Sequence, residues 1–201
     1  MIDYLLRRLG NDDTEIEILD LTRAESGLEE GSDAFCGWMG KARSGKDIYV
    51  GEENISCPLA KYKLGYERLV DLENTLVSWG DAASEKEAHL YLNDTVTIQG
   101  RKVFHLSQKM ENPDLIVHFG KPNEIMHLVR DYSSKTGKRI QSRVSGIGAM
   151  CGELCAIPYV TGQPCFSVGC GGSRRRVFGK NEIAISFPRS LVKKMRRRLR
   201  F

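Results

Sequence analysis

An α/β or α+β fold, a single domain with a central mixed sheet flanked by helices, is the class this sequence predicts. Three observations lead there. The chain has 201 residues, 41% of them hydrophobic and 28% charged, which suits one well-packed globular domain. Apolar residues recur every second position in some stretches and every third or fourth in others, so strands and helices interleave. Glycine closes several of the helical stretches, at Gly10, Gly45, Gly65 and Gly137.

The elements follow in order. "IDYLLRRL" has helical spacing and is ended by Gly10 and "NDD". "TEIEILDL" alternates as a half-buried strand does. Asp33 is the candidate cap of a helix carrying Phe35, Trp38, Met39 and Ala42, closed by Gly45. "DIYVG" reads as a strand and "SCPLAKYKLG" as a helix with Pro58 in its first turn. Residues 66–100 carry the weakest signal, a helix around "SEKEAHLYL" between loops. "KVFHLSQ" and "DLIVHFG" are strands, and "NEIMHLVRDYSSKTG" is a helix capped by Asn123, striped by Ile125, Leu128, Val129 and Tyr132, and ended by Gly137. "RIQSRVSG" is a strand, "AMCGELCAIPYV" a helix, and "CFSVGC" and "EIAISFP" strands. The domain runs over 1–188, and 189–201 form a basic amphipathic helix with Leu191, Val192, Met195 and Leu199 on one side.

Charge is unevenly distributed. The formal net charge is +4, yet residues 171–201 hold eleven Lys or Arg against the single acid Glu182, leaving the first 170 residues at −6. A general nucleic-acid-binding face is poorly supported, because the basic residues lie in the tail and not across a surface. The tail helix is expected to dock on the acidic body or on a second copy, with its remaining charge open to an acidic redox partner. No apolar run reaches the ~20 residues of a membrane span, and "MIDYLLRRLGNDD" lacks the apolar core of a secretory signal, so a cytoplasmic location is expected.

Six cysteines in a reducing compartment point to metal ligands, reactive thiols or core packing, not to disulfides. Cys36, Cys57, Cys151 and Cys170 all sit at the ends of expected elements, where unpaired backbone N–H groups favour a thiolate. The glycines of "GCGGSRRR" let backbone come close to sulfur. Cys155 and Cys165 read as core or supporting residues. There is no C-x-x-C pair, paired-histidine zinc motif, phosphate-binding loop or dinucleotide fingerprint. His105, His118 and His127 read as hydrogen-bonded structural residues and His89 as exposed.

The segments "FCGWMGKARSGKDIYVGEENISCPLAKYKLG", "PDLIVHFGKPNEIMHLVRDYSSKTG", "SGIGAMCGELCAIPYVTGQPCFSVGCGGSRR" and "EIAISFP", about half the chain, resemble the DUF169 family of archaea and anaerobic bacteria. Two features depart from it: "TEIEILDLTRAE" replaces a more apolar first strand, and the basic tail is particular to this chain. The resemblance implicates Cys36, Cys57, Cys151 and Cys170 as one shared site and leaves out Cys155 and Cys165. Four such thiols would take an iron–sulfur cluster of the 4Fe–4S type, with zinc or no metal as alternatives, since thiolates select soft ions and the family's anaerobic habit favours iron–sulfur over zinc. Gly171, Gly172, Arg174 and Arg175 would support the ligands, the arginines offsetting negative charge. A different class of reading makes "GCGGSRR" an anion nest for a small phosphate or carboxylate, with Cys170 a reactive thiol. A third makes the protein a docking module whose cysteines only shape its core.

Overall fold

The computed structural model describes residues 13–20, 27–66 and 71–197. The expected helix over 2–9 and the tail end 198–201 lie outside them.

Six strands form one sheet: β1 (Thr14–Asp20), β2 (Ile48–Val50), β3 (Lys102–Ser107), β4 (Leu115–Gly120), β5 (Cys165–Ser167) and β6 (Ile183–Pro188), in the order β2-β3-β1-β4-β6-β5. Every neighbouring pair of these strands is antiparallel, so the fold is α+β and the sheet antiparallel where a mixed one was expected. The register supplies the reason. β3 ends with Ser107 opposite Glu15, and β4 starts with Leu115 opposite Ile16 on the other side of β1. The chain therefore carries on in one direction past β1 through residues 108–114, and needs no returning crossover helix.

The helices are α1 (Phe35–Arg43), α2 (Pro58–Lys63), α3 (Leu72–Ser78), α4 (Glu85–Asn93), α5 (Pro122–Thr136), α6 (Ala149–Ala156), α7 (Ile157–Thr161), α8 (Gly171–Arg176) and α9 (Arg189–Arg197). Alternation along the strands sorts them onto two faces. Ile16, Ile18, Leu115, Val117 and Ala184 join Phe35, Trp38, Met39, Met150 and Leu154 in the main core, under α1 and α6. Ile116, Ile185 and Phe187 point the other way and meet Ile125, Leu128 and Tyr132 of α5 and Val192 of α9. A third cluster, Leu59, Leu72, Leu76, Ala88 and Leu92, holds α2, α3 and α4 together.

Several local expectations change. Asp33 does not cap α1; Ala34 occupies that position, while the Asp33 carboxylate accepts the Ala34 N–H at 2.7 Å and faces Lys41 and Arg176. Asn123 lies inside α5, whose cap is Lys121 with Pro122 following, and Glu124 Oε2 accepts the Lys121 N–H at 2.9 Å. The strand expected over 139–146 is irregular, because one side chain replaces a ladder. Ser142 Oγ accepts the Phe166 N–H at 2.8 Å and donates to the Phe166 carbonyl at 3.0 Å. The expected helix over "AMCGELCA" is π-wound as α6. Pro158 has no N–H to offer the carbonyl four residues back, and the turns before it widen. α3, which the polar "DLENTLVS" concealed, is helical because Leu72 and Leu76 bury one edge of it.

Candidate functional site, a cysteine-lined cavity

Four elements each bring one cysteine to a cavity of about 560 Å³. Cys36 is the second residue of α1. Cys57 is the cap of α2, its extended backbone set by the proline that follows. Cys151 lies in the first turn of α6, and Cys170 caps α8. All four line this one cavity, with Gly148, Gly171, Gly172, Trp79, Asp81, Arg175 and Arg176 also in its wall.

Packing explains the convergence. Trp38 Nε1 donates to the Asn54 carbonyl at 2.7 Å, and Ser56 N–H donates to the Asp33 carbonyl at 2.9 Å, tying the approach to Cys57 against α1. α8 presses on α1 at Gly40, where a Cβ would stand 2.6 Å from the Arg176 carbonyl oxygen. That approach brings Gly172 to Cys36, whose Sγ would lie 3.8 Å from a Cβ at position 172. On the other flank Glu153 of α6, 1% exposed, accepts the N–H groups of Ser145 at 2.6 Å and Gly146 at 3.2 Å, and the Ser167 hydroxyl. Ser167 Oγ in turn accepts the Gly169 N–H at 3.0 Å. One buried carboxylate thus fixes both the loop before Cys151 and the turn before Cys170.

The arginines divide by helical geometry. The expected glycine turn is the short helix α8, so successive side chains diverge by about 100°. Arg175 and Arg176 line the cavity, and Arg176 faces Asp33 at 3.8 Å. Arg174, placed at the site by sequence reasoning, is directed elsewhere. Its guanidinium donates to the carbonyls of Glu182 at 2.6 Å and Lys180 at 2.7 Å and packs on Phe178.

The thiols are not electrostatically alike. Burial pushes Cys36 up to about 11, with the Cys170 charge adding to it and Arg176 opposing. Burial also raises Cys57, against N–H groups of Ala60 and Leu59, and raises Cys151 strongly, against the charge of Lys63. Cys170 is the exception. Burial opposes its anion, but the Ser173 hydroxyl and the N–H groups of Ala149, Ser173 and Gly172 outweigh it, and its thiol sits below the ordinary value. The expectation that all four element ends favour thiolate therefore holds at Cys170 alone; desolvation wins at the other three. Cys151 is raised further by the charges of Cys57, Cys170 and Cys36, Cys36 by Cys170 and Cys57, and Cys57 by Cys170, so every pair of the four interacts. Among the described residues no three or more His, Cys, Asp or Glu side chains are grouped so as to hold a single metal ion.

The other two cysteines sit apart from the cavity wall. Cys155 is buried in the main core, and Cys165 lies on β5 with its Sγ 2.9 Å from Ser142 Oγ. His105 bonds Asp47 at 2.6 Å and His118 bonds Asp13 at 2.6 Å, so both serve the sheet and not the cavity. Sequence reasoning missed Trp79, Asp81, Arg176, Lys63 and Glu153. Trp79 lies in the weakly patterned stretch 66–100, and Glu153 and Lys63 carry no local mark of burial.

An α+β protein with a four-thiol cavity at the junction of α1, α2, α6 and α8 is the class that fold and site define. The chain belongs to the DUF169 family, described as "Uncharacterised ArCR", whose profile matches residues 14–198. It is 34% identical over 82 residues to the uncharacterized protein MJ0308 of Methanocaldococcus jannaschii, a match covering 40% of this chain and 35% of that protein. The chain thus spans about a third of the length of that curated relative. No solved structure matches it at a significant level. Among the described residues no helix is long and apolar enough to cross a membrane.

Proposed function

We propose that the cavity takes a thiolate-ligated iron–sulfur cluster through Cys36, Cys57, Cys151 and Cys170, and that the protein has a redox or electron-transfer accessory role. The observation that carries this is the approach of four thiols from four separate elements, each within electrostatic reach of the other three. The donor set is soft, which suits iron–sulfur chemistry. A single zinc, with Zn–S bonds of ~2.3 Å, would need its sulfurs within about 4 Å of one another. A cluster spreads its ligands, because each iron takes its own thiolate. Bound there, such a group supplies one-electron transfer. The chain's part is to hold four sulfurs, offer N–H groups from Gly172 and Ala149 at Cys170, and set Arg175 and Arg176 beside the negative charge. The partner exchanging electrons would be an acidic protein or a second copy.

The test is anaerobic purification and reconstitution, followed by iron and sulfide analysis and absorbance near ~400 nm. Iron and sulfide should bind in the wild type, fall severely in each of Cys36→Ser, Cys57→Ser, Cys151→Ser and Cys170→Ser, and survive in Cys155→Ser. Anaerobic wild type that takes up no iron would overturn the reading.

One observation favours a second reading. Cys170 alone is held below the ordinary thiol value, as a nucleophile or redox thiol is, and Arg175 stands beside it for an anionic ligand. That reading expects a colourless protein in which Cys170→Ser alone abolishes ligand-linked chemistry.

A further inference from the structure

Behind the cavity wall lies a charged side chain that the cysteine arrangement by itself does not require. Lys63, the last residue of α2, is only 4% exposed. It runs along the glycine side of α6: a Cβ at Gly152 would meet Lys63 Nζ at 2.7 Å, and one at Gly148 would meet it at 3.1 Å. Two glycines thus form a cradle that any side chain would close. The ammonium donates to Tyr91 Oη at 2.6 Å, and that hydroxyl donates to the Ile147 carbonyl at 3.0 Å. No carboxylate among the described residues pairs with it.

A buried ammonium without a counter-charge is strongly disfavoured. Tyr91 offers a neutral oxygen, which satisfies one of three donors, and a ring face 4.9 Å from Nζ, which offsets only a small part of the charge. Nζ reaches the Cys151 side of the cavity, because it lies against Gly152, the residue that follows Cys151 in α6. The remaining cavity cations, Arg175 and Arg176, are exposed and screened by solvent, whereas Lys63 acts through packed protein.

We propose that Lys63 is the built-in counter-cation for the Cys151 side of the cavity, reducing the net charge of a thiolate-ligated cluster there and raising its reduction potential. This rests on the iron–sulfur reading above. It also gives a reason for glycine at 152, inside α6, where a helix preference alone would place another residue.

The experiment takes the full chain, reconstitutes it anaerobically with iron and sulfide, and measures iron content first and midpoint potential second. Lys63→Met should bind the same iron and shift the potential to more negative values, because it keeps the volume and removes the charge. Metal-free Lys63→Met should melt at the same or a higher temperature, since a lone buried charge has been removed. Gly152→Ala, which displaces Nζ while keeping the lysine, should shift the potential in the same direction and serves if Lys63→Met does not fold. Wild type without iron would overturn the cluster reading and this inference with it. Wild type that loads, with an unchanged potential in the variants, would overturn the role of Lys63 alone and leave the cluster reading standing.

Discussion

At the scale of the residue, the four cavity thiols differ in a way that pH can read. In metal-free protein Cys170 ionises below the ordinary thiol value, whereas Cys36 holds its proton to about 11. Iodoacetamide mapping against pH should therefore modify Cys170 first. Ser173→Ala should move its midpoint upward, because the serine hydroxyl 3.3 Å from Sγ is one of the groups that stabilise the anion. If Cys36 or Cys151 reacts before Cys170, the assignment is wrong. The stability signs are opposite. An unfolded chain releases the Cys36 proton near 9.0 and the folded one near 11, so that contribution is present below 9.0 and lost as pH climbs through this window. For Cys170 the contribution is present above the unfolded value and lost as pH falls through the lower folded one. The identities of the cavity cysteines were legible from their element-end positions and the family resemblance. Their ionisation was not, since burial is decided by what packs above them.

At the scale of the element, α6 and the α1–α8 contact hold the cysteines in place. Glu153→Ala would leave the Ser145 and Gly146 N–H groups and the Ser167 hydroxyl without their acceptor. A loss of about 1–3 kcal/mol is expected in chemical denaturation, the cost of leaving the buried Ser167 hydroxyl unpaired, since the part-buried Ser145 and Gly146 N–H groups can turn to water. A variant within about 0.5 kcal/mol of wild type would show that water replaces the carboxylate. Gly40→Ala should cost about 1–3 kcal/mol and lower iron loading, because a methyl group there meets the Arg176 carbonyl at 2.6 Å and wedges α8 from α1. Unchanged loading would mean that Cys36 and Cys170 tolerate separation. Neither contact has a local signature: "WMGKA" and "CGELC" read as ordinary helix until the neighbouring element is in place.

At the scale of the molecule, the basic tail is part of the fold. Val192 of α9 is 2% exposed and packs with Ile116, Leu128, Ile185 and Phe187, so the helix covers the second face of the sheet. Val192→Ala should destabilise the whole domain by about 2 kcal/mol in urea unfolding, from lost burial and the void left behind. Lys193 and Lys194 are exposed, and reversing both to Glu should leave stability within about 0.5 kcal/mol. If the charge reversal destabilises and the Val192 change does not, the helix is held by electrostatics and not by its apolar edge.

Local pattern alone determined most of the strands and long helices, because alternation and 3.6-residue spacing record which side of a segment is buried. It also marked α9 as amphipathic and, together with the family resemblance, singled out Cys36, Cys57, Cys151 and Cys170. Other features depended on distant partners. Ser142 replaced a strand with two side-chain hydrogen bonds to Phe166, and the placement of β1 between the like-directed strands β3 and β4 left both of its pairings antiparallel. Turning "GGSRRR" into helix sent Arg174 to the 180–182 carbonyls and Arg176 to the cavity. The burial of Lys63 and Glu153 belongs to the same group. A charged residue in sequence carries no sign of whether water or packed glycine will surround it, and that is settled only when separate elements close over it.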